Sequence, residues 1–263
     1  MTEAGSLGTI SARMAGRVAI VTIERPERRN AVDLRTARAL YEAFKTFDAD
    51  DRADAAILTG AGGFFCAGAD LKALAEGEPK RFEPEGSFGP MGPTRLTLSK
   101  PVLAAIEGPA VAGGLELALW CDLRIAACSA VFGVFNRRFC VPLVDLGTIR
   151  LPRMIGHGRA MELILTGRPV GAEEATRIGL VNEVVADGQA LNRALALAET
   201  LCGFPQAGMR NDRLSAIEQW GLPEREAMRN EVMRGAATIE TGEAHSGAAR
   251  FSDGAGRGGA FRA

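Results

Sequence analysis

The sequence predicts an α/β protein built around a parallel sheet. Three continuous apolar runs, at residues 17–24, 54–60 and 100–108, have the composition of strands, and crossover segments separate them. Continuous apolar strands are typical of parallel sheets that are covered on both faces, and repeated strand–crossover–strand units are typical of α/β folds. The 263 residues are enough for one large domain with a substantial core.

The first elements have clear start and stop signals. The strand at residues 17–24 is rich in β-branched residues and ends before Pro26, which interrupts a strand. A helix over residues 34–47 follows, because Asp33 is a suitable N-cap and apolar residues recur at helical spacing after it. These signals predict one strand and one crossover helix before the second apolar run.

The second half of the chain is mostly helical in pattern. Residues 77–93 are rich in Pro and Gly, and we interpret them as a mobile loop over the site. We predict a core domain over residues 1–200 and a helical region over 201–263, with a Gly- and Arg-rich tail from Gly254 that is either flexible or held by a ligand or a neighbouring subunit. Four later segments show helical periodicity: 159–165, 172–178, 189–201 and 223–239.

The charges of the chain are balanced. There are 31 Lys and Arg residues against 32 Asp and Glu residues, and the net charge of −1 argues against a nucleic-acid partner. Residues 1–16 lack the pattern of a secretory signal, and no apolar run is long enough to span a membrane. We therefore expect a soluble, cytoplasmic protein without a membrane partner.

Several catalytic classes lack their motifs. The glycines at 60–63 do not complete a dinucleotide fingerprint, because Phe65 stands where its third glycine would fall. His157 and His245 lie near no nucleophile motif, and no cluster has zinc-ligand spacing. A metal-free acid–base mechanism remains. The five cysteines are scattered, and we interpret them as reduced core thiols: Cys66, Cys121, Cys128, Cys140 and Cys202.

Two short stretches, residues 66–70 and 111–116, each follow a strand-like run and open a helix-like one. The N–H groups at a helix start bind negative charge well, so two such starts directed at one point would form an oxyanion hole. Glu116 stands three residues after Gly113 on the same helical face and would lie beside that hole. The combination suggests chemistry on a carbonyl group through an enolate or a tetrahedral oxyanion.

Glu116 stands in an apolar environment. A helix through it would be apolar nearly all round, so its carboxylate should be largely buried. Burial raises the pKa of a carboxyl group, which suits a general acid or base near neutral pH. The alternative is a structural glutamate that is paired with an arginine.

Three motifs in a fixed order carry a family resemblance: RPERRNA at residues 25–31, FCAGADL at 65–71 and IEGPAVAGGLELA at 106–118, the last followed by Cys121 and Asp122. With RLPR, LTGR and GLV further along, they resemble the successive signatures of the crotonase (enoyl-CoA hydratase/isomerase) superfamily over roughly residues 17–190. The resemblance implies an α/β, crotonase-like spiral of ββα units and a C-terminal helical region that forms homotrimers, often paired into hexamers. It also implies a coenzyme A thioester as substrate, with no separate cofactor and no metal.

The resemblance assigns roles to individual residues. Ala69 and Gly113 would donate the two N–H groups of the oxyanion hole, and Glu116 would be the general acid or base. Arg25, Arg28 and Arg29 are candidates for the phosphates of coenzyme A, although they could equally be solvated loop charges. The residues that would lie near the adenine end of the ligand are Ala67, Ala69, Asp70, Leu71 and Lys72.

One position departs from the family pattern. Asn136 stands where typical hydratases of the family carry a second glutamate, and an amide holds a water molecule but transfers no proton at neutral pH. Asp145 is the next catalytic candidate, close to where related dienoyl-CoA isomerases carry an aspartate, or else it caps a helix over residues 147–154. Arg137 and Arg138 would suit an acyl group that bears a carboxylate or another polar function.

The sequence leaves several reactions open. The first hypothesis is an enoyl-CoA hydratase/isomerase-type enzyme with Glu116 as general acid/base. The second is another outcome of the same enolate, such as isomerisation, decarboxylation or thioester hydrolysis, with Asp145 taking part. The third is a catalytically silent acyl-CoA-binding protein.

Overall fold

The strands of the described chain form two sheets. The computed structural model describes residues 5–6, 8–79 and 83–256. In chain order the strands are β1 (Gly5–Ser6), β2 (Ile10–Ala15), β3 (Val18–Ile23), β4 (Ala55–Gly60), β5 (Val102–Ile106), β6 (Pro109–Val111), β7 (Leu123–Ala127), β8 (Val131–Gly133), β9 (Val170–Gly171) and β10 (Glu183–Val185).

The larger sheet has the strand order β1-β2-β3-β4-β5-β7-β10. From β3 to β10 all neighbouring strands run parallel, which confirms the predicted parallel sheet. The register places Ile20 beside Ile57 and Ile57 beside Leu103, so apolar residues share one face across three strands. The smaller sheet has the order β6-β8-β9 and adjoins the site.

The helices follow the strands in the alternation that the sequence predicts. They are α1 (Leu34–Ala49), α2 (Leu71–Ala75), α3 (Gly113–Trp120), α4 (Gly147–Ile155), α5 (His157–Thr166), α6 (Ala172–Arg177), α7 (Ala190–Cys202), α8 (Gln206–Glu218), α9 (Glu224–Glu240) and α10 (Glu243–Ser252). Asp33 caps α1 as predicted, since its Oδ1 accepts a hydrogen bond from Thr36 N at 2.8 Å.

Several elements were not predicted: β1, β2, β7, β8, β9, β10, α8 and α10. β1 and β2 form an antiparallel edge, and β2 buries little of its surface, so it lacks a clear apolar pattern. α8 and α10 contribute no buried residue, and no core-facing stripe marks them in the sequence.

The C-terminal helices attach to the core through charged contacts. Arg210 of α8 pairs with Asp54 at 2.7 Å, and Arg213 of α8 pairs with Asp122 at 2.8 Å. The predicted boundary at residue 200 falls inside α7, whose buried alanines pack on the larger sheet. The division into two domains stays a prediction, and residues 257–263 of the predicted tail lie outside the described residues.

The five cysteines are free thiols. Cys66 and Cys121 are buried, but Cys128 and Cys140 are exposed, so the prediction of core thiols is wrong for these two. Cys128 follows the end of β7 in a turn, and Cys140 has φ 55 at the end of a short 3-10 helix, which places both at the surface. Within the described residues, no helix combines the length and the apolar character needed to cross a bilayer.

Candidate active site

The stretch at residues 66–70 is held between two neighbouring segments. On one side Cys66 exchanges main-chain hydrogen bonds with β6 at 3.0 and 3.1 Å. On the other side Val32 donates to Gly68 O at 2.8 Å and accepts from Asp70 N at 2.9 Å. Main-chain bonds therefore fix this stretch on both sides.

The amides of Ala69 and Gly113 donate no hydrogen bond to any described residue. Val32 forms a β-bridge with Ala69, but its main-chain hydrogen bonds go to Gly68 and Asp70 on either side. The Ala69 N–H therefore points away from Val32. Gly113 is the first residue of α3, and the N–H of a first helical residue has no acceptor within its helix. Both residues line one cavity.

The two stretches approach each other closely at Gly68. A Cβ on Gly68 would lie 2.9 Å from the Gly113 nitrogen, and Gly68 has φ +97, which favours glycine. Ala112 has φ 53 and forms the one-residue turn from β6 into α3. Backbone strain of this kind persists only where the surrounding structure imposes it. A Cβ on Gly113 would lie 2.6 Å from Met91 Sδ, so this methionine covers the start of α3.

Glu116 lies on α3 one turn after Gly113 and is only 2% exposed. Its Oε1 accepts hydrogen bonds from Asp145 N at 2.9 Å and from Gly147 N at 2.8 Å. Its Oε2 accepts none from the described residues. A Cβ on Gly147 would lie 2.7 Å from Oε1, so the glycine makes room for the carboxyl group. Glu116 forms no ion pair with a described residue, and the alternative of an arginine-paired structural glutamate is therefore wrong.

Burial raises the pKa of Glu116 to about 8, and the neighbouring carboxyl of Asp145 adds to this effect. The two main-chain N–H bonds and the nearby charge of Arg150 act in the opposite direction. Burial also raises the pKa of Asp145, against hydrogen bonds from Thr94 and Met91 that favour its charged form. Two neighbouring buried carboxyl groups rarely ionise together, so the pair keeps a proton near neutral pH.

We expect Glu116→Gln to gain stability relative to the parent as pH rises from 5 to 9. The unfolded chain releases the Glu116 proton near its ordinary pKa of 4.5, whereas the folded chain keeps it up to about pH 8. Between these values the unfolded state binds fewer protons, so stability that is complete below about 4.5 is lost as pH rises through about 8. Thermal melts at several pH values give the free energy of unfolding of each protein. The difference between the two proteins should change by a few kcal/mol over this range, on the order of 1.4 kcal/mol per pKa unit. The same dependence of unfolding free energy on pH in both proteins would contradict a buried Glu116 with a raised pKa. Glu173→Gln, at an exposed position, is the control and should follow the parent.

Asp145 faces the same cavity and is also 2% exposed. Its Oδ1 accepts hydrogen bonds from Met91 N at 3.0 Å and from the Thr94 hydroxyl. The predicted helix at residues 147–154 is observed as α4, but its N-cap is Leu146 and no side chain caps it. The capping alternative for Asp145 is therefore wrong, because its carboxylate is directed at residues 91–94 instead.

Asn136 is buried beside the cavity, and its amide is engaged with the main chain. Its Nδ2 donates to Val141 O at 2.7 Å, and its Oδ1 is buried without a hydrogen-bond partner. Arg137 donates to Ile164 O and Arg138 to Gly167 O, at the C-terminal end of α5. These two arginines do not line the cavity, and their contact with a carboxylate or other polar function of the acyl group stays a prediction.

The cavity has a volume of about 160 Å³. Both described ends of the predicted loop at 77–93 contribute to its wall, so this segment does lie over the site. The apolar part of the wall includes Phe88, Met91, Phe135, Phe139, Val141 and Val144. The predicted site residues that line it are Ala69, Asp70, Leu71, Gly113, Glu116, Asn136 and Asp145.

The other predicted ligand-binding residues do not line this cavity. Ala67 is partly buried and its N–H bonds to Arg29 O, while Lys72, Arg28 and Arg29 are exposed. Arg25 is 12% exposed in its side chain and is paired with Asp70 at 2.9 Å and with Asp33 at 3.0 Å. Its charge is therefore compensated within the protein.

Four residues near Glu116 and Asp145 were not predicted: Met91, Thr94, Gly147 and Arg150. Arg150 donates to Thr94 O at 2.8 Å and to Asp145 O at 3.3 Å, and it joins α4 to the segment over the site. The only sequence signal for Arg150 was its position in the RLPR motif at residues 150–153. The other three act through contacts between segments distant in sequence, which no local pattern reveals.

The arrangement can stabilise negative charge on an oxygen atom and move a proton beside it. Two main-chain N–H groups and one oxygen of a buried carboxyl group, all without a hydrogen-bond partner among the described residues, belong to residues that line one cavity with apolar walls. Preorganised donors in such a site are worth far more than in water. Among the described residues, no group of His, Cys, Asp or Glu side chains could hold a metal ion.

This fold and site are those of an acyl-CoA enzyme of the crotonase superfamily. The chain belongs to the Enoyl-CoA hydratase/isomerase family, which it matches over residues 13–253. The match confirms the resemblance read from the sequence motifs.

Individual relatives cover between 71% and 93% of the chain. Enoyl-CoA hydratase EchA19 of Mycobacterium tuberculosis is 37% identical over 242 residues, 90% of this chain and 91% of that protein. Carnitinyl-CoA dehydratase of Escherichia coli is 41% identical over 191 residues, 71% of each chain. The crystal structure of enoyl-CoA hydratase EchA1 from Mycobacterium marinum has a TM-score of 0.87 at 36% identity, covering 93% of this chain and 96% of that one. The predicted crotonase-like α/β fold is thus confirmed.

Proposed function

We propose that the protein adds water reversibly across the 2,3 double bond of an enoyl-CoA thioester. The supporting observation is that the unpaired amides of Ala69 and Gly113 share one cavity with the buried carboxyl group of Glu116. Both amides donate to the thioester oxygen and stabilise the enolate that forms on it. Such donors typically contribute about 10²- to 10³-fold each to kcat.

Glu116 moves the proton in this reaction. In its ionised form, Glu116 takes a proton from a water molecule on Oε2, the oxygen that accepts no hydrogen bond from the described residues, while the water oxygen bonds to Cβ of the enoyl group. The double-bond electrons pass to Cα and the thioester oxygen, and the same carboxyl group then returns the proton to Cα. The overall reaction adds one water, with hydroxyl on Cβ and hydrogen on Cα.

Two relatives support water addition or removal as the reaction class, since they are named enoyl-CoA hydratase and carnitinyl-CoA dehydratase. Both names also specify an acyl group on coenzyme A. For coenzyme A itself, Asp70 and Leu71 line the cavity, and we propose that Ala67 and the exposed Lys72, Arg28 and Arg29 lie along its path. No separate cofactor enters this proposal.

Isomerisation of the double bond is the second candidate. Asp145 faces the same cavity, and its Oδ2 accepts no hydrogen bond from the described residues. With Glu116 it forms a pair of carboxyl groups that together hold a proton, which suits removal of a proton at one carbon and its return at another.

Product mass separates these reactions. We expect the purified protein, incubated with straight-chain 2-enoyl-CoA esters, to yield a product heavier by one water, and in ¹⁸O-water the label should appear on Cβ. An unchanged mass with a shifted double bond would favour isomerisation instead. Release of free coenzyme A would indicate thioester hydrolysis, and tight binding without turnover would indicate the silent binding protein. Loss of carbon dioxide from a CoA ester whose acyl chain carries a free carboxyl group, assayed separately, would indicate decarboxylation.

We also propose that the chain forms a homotrimer, or a hexamer of paired trimers, in the cytoplasm. Large apolar side chains are exposed on the C-terminal helices, and apolar surface of this extent commonly marks a protein interface. They include Ile217, Trp220, Met228, Val232, Met233, Ile239 and Phe251.

A further inference from the structure

A buried cluster of charges lies next to the Ala69 amide, and we call it the Arg25 clamp. It consists of Arg25, Asp33 and Asp70. Arg25 donates to Asp70 Oδ2 at 2.9 Å and contacts Asp33 Oδ2 at 3.0 Å, and it also donates to Ala31 O. The side chains of Arg25 and Asp70 are 12% and 6% exposed.

The Arg25 clamp joins three segments of main chain around the site. Asp33 caps the start of α1, and Asp70 caps the start of α2 by accepting from Lys72 N and Ala73 N at 3.1 and 3.3 Å. The Ala31 carbonyl lies directly before Val32, which bridges to Ala69. One guanidinium group therefore holds both helix starts and the edge against which Ala69 lies.

The contacts of the Arg25 clamp determine the direction of the Ala69 N–H group. Val32 fixes the peptides on both sides of Ala69, through Gly68 O and Asp70 N. The Asp70 carboxylate, one residue after Ala69, is anchored in turn by Arg25. Charge-assisted bonds from a planar guanidinium group add geometric precision as well as energy. A shift of Asp70 would therefore turn the Ala69 amide away from the cavity.

We propose that Arg25 is a positioning residue, which through Asp70 directs the Ala69 N–H at the thioester oxygen of the substrate. This inference rests on the proposed function, because it requires the thioester oxygen to lie at that amide. It differs from the role that the sequence resemblance implies for Arg25, which is contact with the phosphates of coenzyme A. The two roles predict opposite changes in kinetics.

Two variants test the Arg25 clamp. Asp70→Asn keeps a side chain that caps α2 but removes the charge that faces Arg25. Arg25→Met removes the guanidinium group and keeps much of the packing. We expect either variant to lower kcat about 10- to 100-fold, part of the loss of a whole oxyanion donor, with KM within about threefold of the parent. Arg25→Lys should recover part of the lost kcat, because it restores a single charged donor.

The direct readout is the infrared band of a bound thioester carbonyl. A saturated acyl-CoA such as hexanoyl-CoA, labelled with ¹³C at the carbonyl, binds without reacting, and two aligned N–H donors lower its C=O frequency. We expect the parent to lower this frequency relative to free hexanoyl-CoA, and Asp70→Asn and Arg25→Met to return it partly to the free value. Loss of folded protein changes the amount of bound ester but not its frequency.

The matched control is Arg213→Met, which breaks an Arg–Asp pair of similarly low exposure whose two residues do not line the cavity. It should leave kcat, KM and the carbonyl band unchanged. If Arg25→Met raises KM and leaves kcat and the band unchanged, Arg25 binds phosphate and the proposal is overturned. An unshifted band in Asp70→Asn overturns it as well. A parent band equal to that of free ester would instead refute the oxyanion hole, and with it the proposed function.

Discussion

Glu116→Gln should lower kcat for hydration of a 2-enoyl-CoA by about 10²- to 10⁴-fold, the usual contribution of a positioned acid or base. Glutamine keeps an oxygen that can accept the Asp145 and Gly147 N–H bonds now made to Oε1. It replaces only Oε2, the carboxyl oxygen that accepts no hydrogen bond from the described residues. The loss should therefore fall on kcat, with KM for the ester little changed.

Initial rates over a series of enoyl-CoA chain lengths measure this effect. Glu173→Gln removes an exposed carboxylate on α6 and should keep parent activity. If Glu116→Gln turned over any of these esters at the parent rate, Glu116 would not carry the proton. A comparable loss in Asp145→Asn alone, with Glu116→Gln active, would transfer that role to Asp145.

Gly113→Pro should lower kcat about 10²- to 10³-fold more than Gly113→Ala does. Both substitutions add a Cβ that would lie 2.6 Å from Met91 Sδ, but only proline removes the N–H group. Proline is tolerated at the first position of a helix, and this N–H has no partner among the described residues. The comparison of the two variants therefore isolates one oxyanion donor.

The crowding by Met91 can be removed by making both variants in a Met91→Ala background. Where the proline variant does not fold, glycolic acid at position 113 replaces the N–H by an ester oxygen without adding a side chain. Equal kcat for the alanine and proline variants, or parent kcat for the ester, would exclude Gly113 from the oxyanion hole. The binding of free coenzyme A should be the same in all of these proteins.

Local sequence signals predicted the parts of the fold and site that depend on short segments. The apolar neighbours of Glu116 indicated a buried carboxyl group, and the residue is 2% exposed. The stretches at 66–70 and 111–116 were recognised because each comes after a strand-like apolar run and opens a helix-like one. α3 begins one residue after β6, whereas residues 61–65 separate β4 from the first stretch, which is brought to α3 by the main-chain bonds of Cys66 to β6.

Contacts between distant segments could not be predicted in this way. Arg25 and Asp70 are 45 residues apart, and nothing near either shows that they form a pair. The cationic motif around Arg25 suggested a phosphate site, but the fold neutralises that charge internally. Likewise Asp145 lies just before a helix, where capping is the simplest expectation, yet its carboxylate bonds to Met91 and Thr94. Side chains of this kind are placed by tertiary packing.

A crystal structure of the protein with a bound saturated acyl-CoA tests the central claim most directly. We predict that the thioester oxygen lies about 2.7–3.1 Å from both the Ala69 and the Gly113 nitrogen atoms, with Glu116 Oε2 facing the Cα and Cβ atoms. A thioester oxygen bonded elsewhere, or a ligand whose reacting carbons lie away from Glu116, would contradict the account.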